Sequence, residues 1–454
     1  MSDLPEGWTT CLLGSVAEIK LGKMLDKAKN EGPLRSYLRN VNVRWFGFDL
    51  SDLAQMRMSD VEAKLFDVRD DDVLVCEGGE PGRGAVWNLG DRQLTYQKAL
   101  HRVRVQPALL PKMLVWQLRL DSLSFKLDRY FTGSTIKHFP LIALQRYPVS
   151  VPPLAEQKRI ADKLDTVLTR VDAVSARLAR VAPILKRFRQ SVLAAATSGR
   201  LTEGWRDRSK VLGPSIFALG DLVASIDQGW SPKCESSAAP AERWAVIKTT
   251  AIQPLNFHPE ENKALPNSLD PRPRLALEDG DVLITRAGPR SRAGIACLVR
   301  GAYPRLMLCD KAYRMRVDRS KIHPQMLNLL LNSPEVLEAI DGMKTGISES
   351  GVNLTQVRFR ELVLSVPPLE EQAEIVRRVD TLFAFADRLE ARLKAAQSAT
   401  GRLTPALLAK AFRGELVPQD PDDEPASELL RRLQAASGHR APARAAGRGR
   451  KRST

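Results

Sequence analysis

Ile160, Leu164, Val167, Val171, Val174, Leu178, Val181, Leu185, Phe188 and Val192 recur at alternating spacings of four and three. That is the heptad pattern of a helix whose apolar seam faces a partner helix. The same spacing returns in Ile375, Val379, Leu382, Ala386, Leu389, Leu393, Ala396, Thr400, Leu403 and Leu407. This second seam is poorer at Ala386, Ala396 and Thr400, so its pairing is expected to be looser or completed by a partner. Each stripe opens on nearly the same heptapeptide, Val151-Pro152-Pro153-Leu154-Ala155-Glu156-Gln157 and Val366-Pro367-Pro368-Leu369-Glu370-Glu371-Gln372. A Pro-Pro step enforces an extended approach and puts a proline near the first helical position, and the glutamate then sits where the helix dipole favours negative charge. Each heptapeptide therefore predicts a helix start. A continuous run from 154 to 197 would be about 65 Å long. Pro183 and Pro405 are expected to kink each helix or divide it. The simplest way to satisfy both seams is to pair the helices with each other, antiparallel.

The helices are the second half of a longer repeat. The register holds through Asp165-Thr166 and Asp380-Thr381, Ala176-Arg177-Leu178 and Ala391-Arg392-Leu393, and Gly199 and Gly414. Chance similarity between two helices does not keep one register so long. Upstream of each helix the two stretches match loosely, as in Leu13-Gly14 and Leu219-Gly220, Asp72-Val73-Leu74 and Asp281-Val282-Leu283, Lys98-Ala99 and Lys311-Ala312, and Thr132-Gly133 and Thr345-Gly346. Short apolar runs between Gly, Pro and Asp turns read as strands (Val73 to Cys76, Ala85 to Trp87, Arg102 to Val105), with helices near 111–129 and 324–341. The expected fold is α+β: two globular domains with twisted, mostly antiparallel sheets, joined by two long helices pairing as an antiparallel coiled coil, in a pseudo-twofold internal repeat. The boundaries are 1–150 for the first module, 151–206 for the first helical spacer, 207–365 for the second module, 366–425 for the second spacer, and 426–454 for a basic, disordered tail.

Composition narrows the function classes. Hydrophobic residues at 43% and charged residues at 27% are ordinary for a globular chain. No apolar run reaches the roughly 18–20 residues of a membrane span, and the first residues have no signal-peptide pattern. A cytoplasmic location is expected. The five cysteines and five histidines fall in no C-x-x-C or H-E-x-x-H spacing, so neither a disulfide framework nor a metal site is expected. A net charge of +16 points to an anionic polymer or surface as partner. Six of those charges, from Arg440 to Arg452, lie in the tail, and the body stays basic without them.

Catalytic signatures are missing. There is no phosphate-binding G-x-x-x-x-G-K-[ST], no G-x-S-x-G elbow, and no N-P-P-[YFW] run of the amino-methyltransferases, so the chain is expected to bind rather than catalyse. Its Gly-rich turns, Glu77 to Gly84 and Arg286 to Gly294, carry Arg83 and Arg292 at equivalent positions, with Arg286 and Arg290 added in the second copy. Arginine forks read guanine edges and clamp phosphates. The alternative is a hairpin whose arginine faces water. Further DNA-binding candidates are Lys20, Lys23, Arg39, Arg44, Lys98 and Lys137 in the first module, and Lys233, Lys248, Lys311, Lys344 and Arg358 in the second. Lys98 and Lys311 are equally readable as strand decoration, and Trp45 and Trp230 as packing residues.

Variable module, V-P-P-L-x-E-Q helix, variable module, V-P-P-L-x-E-Q helix: this order resembles the specificity subunit of type I restriction-modification enzymes, over nearly the whole chain up to about residue 425. The resemblance implies two target recognition domains, each reading one half of a split, asymmetric sequence in double-stranded DNA, and helices that set their separation. It implies subunit docking on the seams, at Ile160, Leu164, Val167, Val171, Leu178 and Leu185 and at Ile375, Val379, Leu382, Leu389 and Leu393. The implied partners are two copies of a methyltransferase subunit and motor/nuclease restriction subunits. S-adenosylmethionine, ATP and Mg would be used by those partners and no cofactor held by this chain. The competing reading is a non-catalytic coiled-coil scaffold pairing two protein- or RNA-binding modules.

Overall fold

A computed structural model of the chain describes residues 4–26, 30–346 and 349–438. They divide into two compact units, one taking the chain up to Ala179 and resuming at Ala395, the other running Arg180–Lys394. The division thus falls inside the helical segments, and each unit owns a module together with parts of both.

In the first unit the strands Ala17–Leu21, Leu100–Val105, Val73–Cys76 and Gly84–Val86 form, in that spatial order, an antiparallel four-stranded sheet. Val73–Cys76 is buried at every position, which explains its unbroken apolar sequence in place of an alternating one. A second sheet sets Leu34–Leu38 between Ala54–Arg57 and Thr95–Tyr96, the last pairing parallel. A ribbon of Thr9–Leu12 with Pro148–Val151 closes the module just before the Pro-Pro step.

The second unit repeats this plan. Val223–Gln228, Ala312–Val317, Val282–Thr285 and Ala296–Leu298 form the antiparallel sheet, and Ser215–Ala218 with Val363–Val366 the closing ribbon. The matched aspartates have the same task in both. Asp72, 2% exposed, accepts from Arg69 N at 2.8 Å and Arg104 Nε at 2.6 Å. Asp281, also 2% exposed, accepts from Glu278 N at 2.9 Å and Arg316 Nε at 3.0 Å. A buried carboxylate holds only when it is paired and hydrogen-bonded, so the aspartate of the D-V-L strand entry and the arginine of the neighbouring strand come as a set.

The spacer helices start where the heptapeptides predict, at Leu154 and Leu369. The first ends at Ala179 and a second helix, Val181–Thr197, holds Pro183 in its first turn, where proline's missing N–H costs nothing. Leu369–Ala411 keeps Pro405 within one helix, so division occurs only in the first copy. Within the second unit, Arg189 reaches Asp387 at 2.6 Å, Arg378 Nη1 donates to Leu201 O at 2.7 Å, and Thr202 Oγ1 to Glu371 Oε1 at 2.7 Å. Residue numbers rise on one strand of this pairing as they fall on the other, so the helices run antiparallel there. Ile160, Leu164, Val171 and Leu185 are buried, as are Ile375, Val379 and Leu393, while Val167, Leu178, Leu382 and Leu389 are half-buried. Ala386 and Thr400, the weak points of the second seam by size, are buried too.

The tail needs correction. Ala426–Gly438 is a helix, and Ala426 and Leu430 are buried in the core of the first unit together with Ile160, Leu164, Leu408 and Ala411. Its Leu429, Leu430 and Leu433 return at helical spacing, a short stripe that basic composition further on overshadowed. The charges from Arg440 onward lie outside the described residues. No described helix is long and apolar enough to cross a membrane.

The Glu-Gln pair closing each heptapeptide joins module to helix. Gln157, fully buried, accepts from Leu110 N at 2.8 Å and donates to Ala108 O at 2.8 Å and Pro152 O at 2.9 Å. Gln372 repeats all three bonds, from His323 N at 2.7 Å and to Lys321 O at 2.9 Å and Pro367 O at 2.8 Å. Glu156 and Glu371, each 1% exposed, accept from Trp8 Nε1 and Thr202 Oγ1.

Gln157→Ala or Gln372→Ala strands one amide and two carbonyls, and at about 1–3 kcal/mol per buried group left unsatisfied each is expected to lower stability by roughly 2–4 kcal/mol in urea unfolding. Burial pushes the Glu156 carboxyl above its ordinary value, against the lowering effect of the Trp8 bond. A carboxyl raised in the folded state favours folding while protonated and loses that advantage as pH rises past the unfolded value of about 4. The wild type is therefore expected to lose stability relative to Glu156→Gln as pH rises above about 4, and a pH-independent difference in thermal melts would refute this.

Candidate nucleic-acid interface

The basic residues sort by what already holds them. Lys23 pairs with Glu62, Arg39 with Asp52 at 2.6 Å, Arg44 with Asp49 at 3.3 Å and Lys137 with Asp128 at 2.9 Å. Arg290 and Lys344 share Asp341, both at 2.7 Å, and Arg286 Nε donates to Asp310 O at 2.7 Å. Lys20 lies over the Phe66 ring at 5.8 Å. Lys98, Lys233 and Lys311 are exposed, and none has a side-chain hydrogen bond or ion pair among the described residues. Arg358 is exposed on the Gln356–Arg360 helix.

Two of the candidates, Lys248 and Lys311, converge in the second module. A cleft of about 460 Å³ is lined by Ser231, Cys234, Lys248, Thr249, Lys263 and Lys311, among others. Lys263, which motif reading missed, is exposed and unpaired among the described residues. Only tertiary structure brings it to Lys311, since nothing in its local sequence differs from a solvated strand position. Lys248 lies 3.5 Å from Glu261, and the Glu261 carboxyl is held below its ordinary value, first by the Thr250 hydroxyl and then by the Lys248 charge. Burial pushes the Cys309 thiol up to about 11 and raises that of Cys234, so the cleft presents neutral thiols among ammonium groups. It offers cation and hydroxyl donors to a polyanion.

The chain is held at the mouth of this cleft by a close backbone approach. A Cβ on Gly229 would lie 2.2 Å from Leu308 O, and one on Gly22 in the first module 2.2 Å from Gln97 O. Both glycines leave the first strand of their sheet at the matching point, a repeat signal hidden by a one-residue shift from the Leu-Gly landmarks. Ser231, two residues beyond Gly229, then accepts from Asp310 N at 3.1 Å.

The Gly-rich turns are placed differently from the groove-reaching hairpins expected from sequence. Arg83 is turned inward. Its Nη2 donates to Asn40 O at 2.9 Å and its Nη1 pairs with Glu80 at 2.6 Å. Arg292 Nη2 donates to Thr249 O at 2.7 Å and Ile252 O at 2.8 Å, and its Nη1 to Gln253 Oε1 at 3.0 Å. Backbone carbonyls within reach outcompete water for a guanidinium that folding has already half-buried.

The type I restriction enzyme EcoBI specificity subunit of Escherichia coli is 33% identical over 323 residues, 66% of this chain and 67% of its own length. This chain belongs to the type I specificity subunits. The EcoKI specificity subunit of E. coli K12 is 28% identical across 95% of this chain and 96% of its own. Residues 5–181 match the model of the type I restriction modification DNA specificity domain. A solved chain from a study of complex assembly and conformational transition of the type I R-M system shares the fold, with a TM-score of 0.66 and 19% identity over 92% of this chain and all of that one. The specificity subunit is a DNA-recognition component and not a catalytic one, which leaves the scaffold reading without support.

Gly22→Ala and Gly229→Ala are each expected to lower stability toward the upper end of the roughly 1–3 kcal/mol typical of overpacking, because backbone and not a flexible side chain stands in the way. Urea midpoints of the two variants check this. An unchanged midpoint would mean the strand exits are free to move apart.

Proposed function

We propose that this subunit reads a bipartite, asymmetric sequence in double-stranded DNA, one half-site per module. It docks two copies of a methyltransferase subunit through the spacer helices and assembles with motor/nuclease restriction subunits, and S-adenosylmethionine, ATP and Mg act in those partners. The observation that carries this is the contrast between frame and surface in the two copies. The glutamine brace, the Asp-Arg pair and the glycine exit recur residue for residue. On the surface, Lys311 matches Lys98 and Lys248 stands where Arg39 does, but the turn that follows is Thr249-Thr250-Ala251 in one copy and Asn40-Val41-Asn42 in the other. Two equal frames suit two equal partners, and two unequal surfaces suit two unequal half-sites. The Lys263 and Lys311 ammonium groups supply phosphate contacts, which orient a module without selecting a sequence.

Methylome sequencing of a host carrying the system tests the reading. A bipartite adenine-methylated motif is expected to vanish when this gene is deleted, and an unchanged methylome would overturn the proposal. The double variant Lys263→Ala/Lys311→Ala is expected to weaken binding of the complex to all duplexes alike and to flatten the slope of log K against log salt by about 2, near 0.9 per phosphate contact. An unchanged slope would remove these lysines from the interface.

A further inference from the structure

Arg83 and Arg292 stand at the same point of the repeat and hold the same object. Each donates to the carbonyl of the first residue of a short 3-10 turn, Asn40–Asn42 in one module and Thr249–Ala251 in the other. Each turn follows a basic residue, Arg39 or Lys248, which is paired to an acid across a loop. Each leads into a two-strand hairpin, Val43–Arg44 with Gly47–Phe48 and Ile252–Gln253 with Asn256–Phe257. At the matching tip position the hairpins place Phe46 and Leu255 at φ 66° and 65°, a left-handed conformation costly for bulky residues, which persists only where the surroundings impose it. The restraint again comes from the Gly-rich side, as Gly84 O accepts from Phe46 N at 3.3 Å and Ala296 O from Leu255 N at 3.0 Å. Gly79 belongs to the same device, since a Cβ there would lie 2.3 Å from the Asn40 amide nitrogen.

The holder is alike in the two copies and the thing held is not. Asn40-Val41-Asn42 offers the half-buried Asn40 amide and an exposed valine, the Asn42 amide being buried on Asp49 O and Asp52 O, whereas Thr249-Thr250-Ala251 offers hydroxyls that line the basic cleft. Amides, hydroxyls and an apolar methyl are the groups that read base edges and the thymine methyl. Resting on the proposed reading of a bipartite target, we infer that the turns 39–42 and 248–251 read bases, and that Arg83 and Arg292 are positioning residues, each setting the specificity of one half-site without touching DNA. A reader held about 1 Å out of place loses discrimination before it loses affinity, because phosphate contacts elsewhere still bind.

The test uses the whole chain with its methyltransferase subunit and a panel of duplexes substituted base by base in each half-site. Arg292→Ala is expected to reduce discrimination against wrong bases tenfold or more in one half-site, with the other half and the salt slope unchanged. Arg83→Ala is expected to do the reverse. Gln253→Ala, which removes one of the three Arg292 bonds, gives a smaller effect in the same half and serves if Arg292→Ala does not fold. Relaxation of both halves together, or uniform weakening with a salt slope lower by about 1, would overturn the inference, the latter by making the arginine a phosphate contact. Full discrimination retained in Arg292→Ala and Gln253→Ala would also overturn it. A wild-type complex with no bipartite preference would instead defeat the underlying reading.

Discussion

In each of the two units a fully buried glutamine amide bonds three backbone groups, and the junction of module and helix is arranged around that brace. Apolar packing alone would leave a module free to rock on its helix, because burial of apolar area is not directional. Three hydrogen bonds from one planar amide, shielded from water, admit a single orientation. Gln157 ties the first turn of its helix to Ala108 and Leu110, and Gln372 ties its own to Lys321 and His323. The preceding prolines deliver the chain extended, the glutamate takes a second bond from Trp8 or Thr202, and the closing ribbon ends at that point. The brace thus fixes the angle between each module and the start of its helix.

The same economy shapes the charge. A net +16 invites every arginine to be counted as a contact, yet many are structural. Arg104 and Arg316 neutralise buried aspartates, Arg102 and Arg314 bridge an acid and backbone carbonyls, and Arg83 and Arg292 hold turns. Arginine suits these inner positions because its fork satisfies several acceptors at once and never gives up its charge. Lys23 and Lys344 are likewise held inside by acids, whereas Lys98, Lys233, Lys263 and Lys311 are exposed and unpaired among the described residues.

Much of the architecture was legible in the chain. The heptad stripes located both helices, the Pro-Pro steps located their first residues, and the D-V-L entries located the central strands, because each signal is local and periodic. Pro183 and Pro405 show where locality ends. The two prolines stand at different points of the repeat, Pro183 in the first turn of a new helix and Pro405 inside a continuous one, and a proline by itself does not tell the two outcomes apart. The Ala426–Gly438 helix escaped for a related reason: its apolar stripe is short, and only docking onto Ile160 and Leu164 makes it stable. Of the candidate contacts, the exposed lysines kept an open surface, while Arg83 and Arg292 were drawn inward by carbonyls some 40 residues away in the chain.

By itself the sequence determined the duplication, the two helices, the strand frame and the family, since all of these rest on spacing between residues that are near one another or repeated in order. Only the tertiary structure decided which cations face solvent, which turns are clamped and where Lys263 meets Lys311. Those outcomes depend on competition between water and carbonyl or carboxylate partners that folding brings together from distant positions, and no local pattern records who wins.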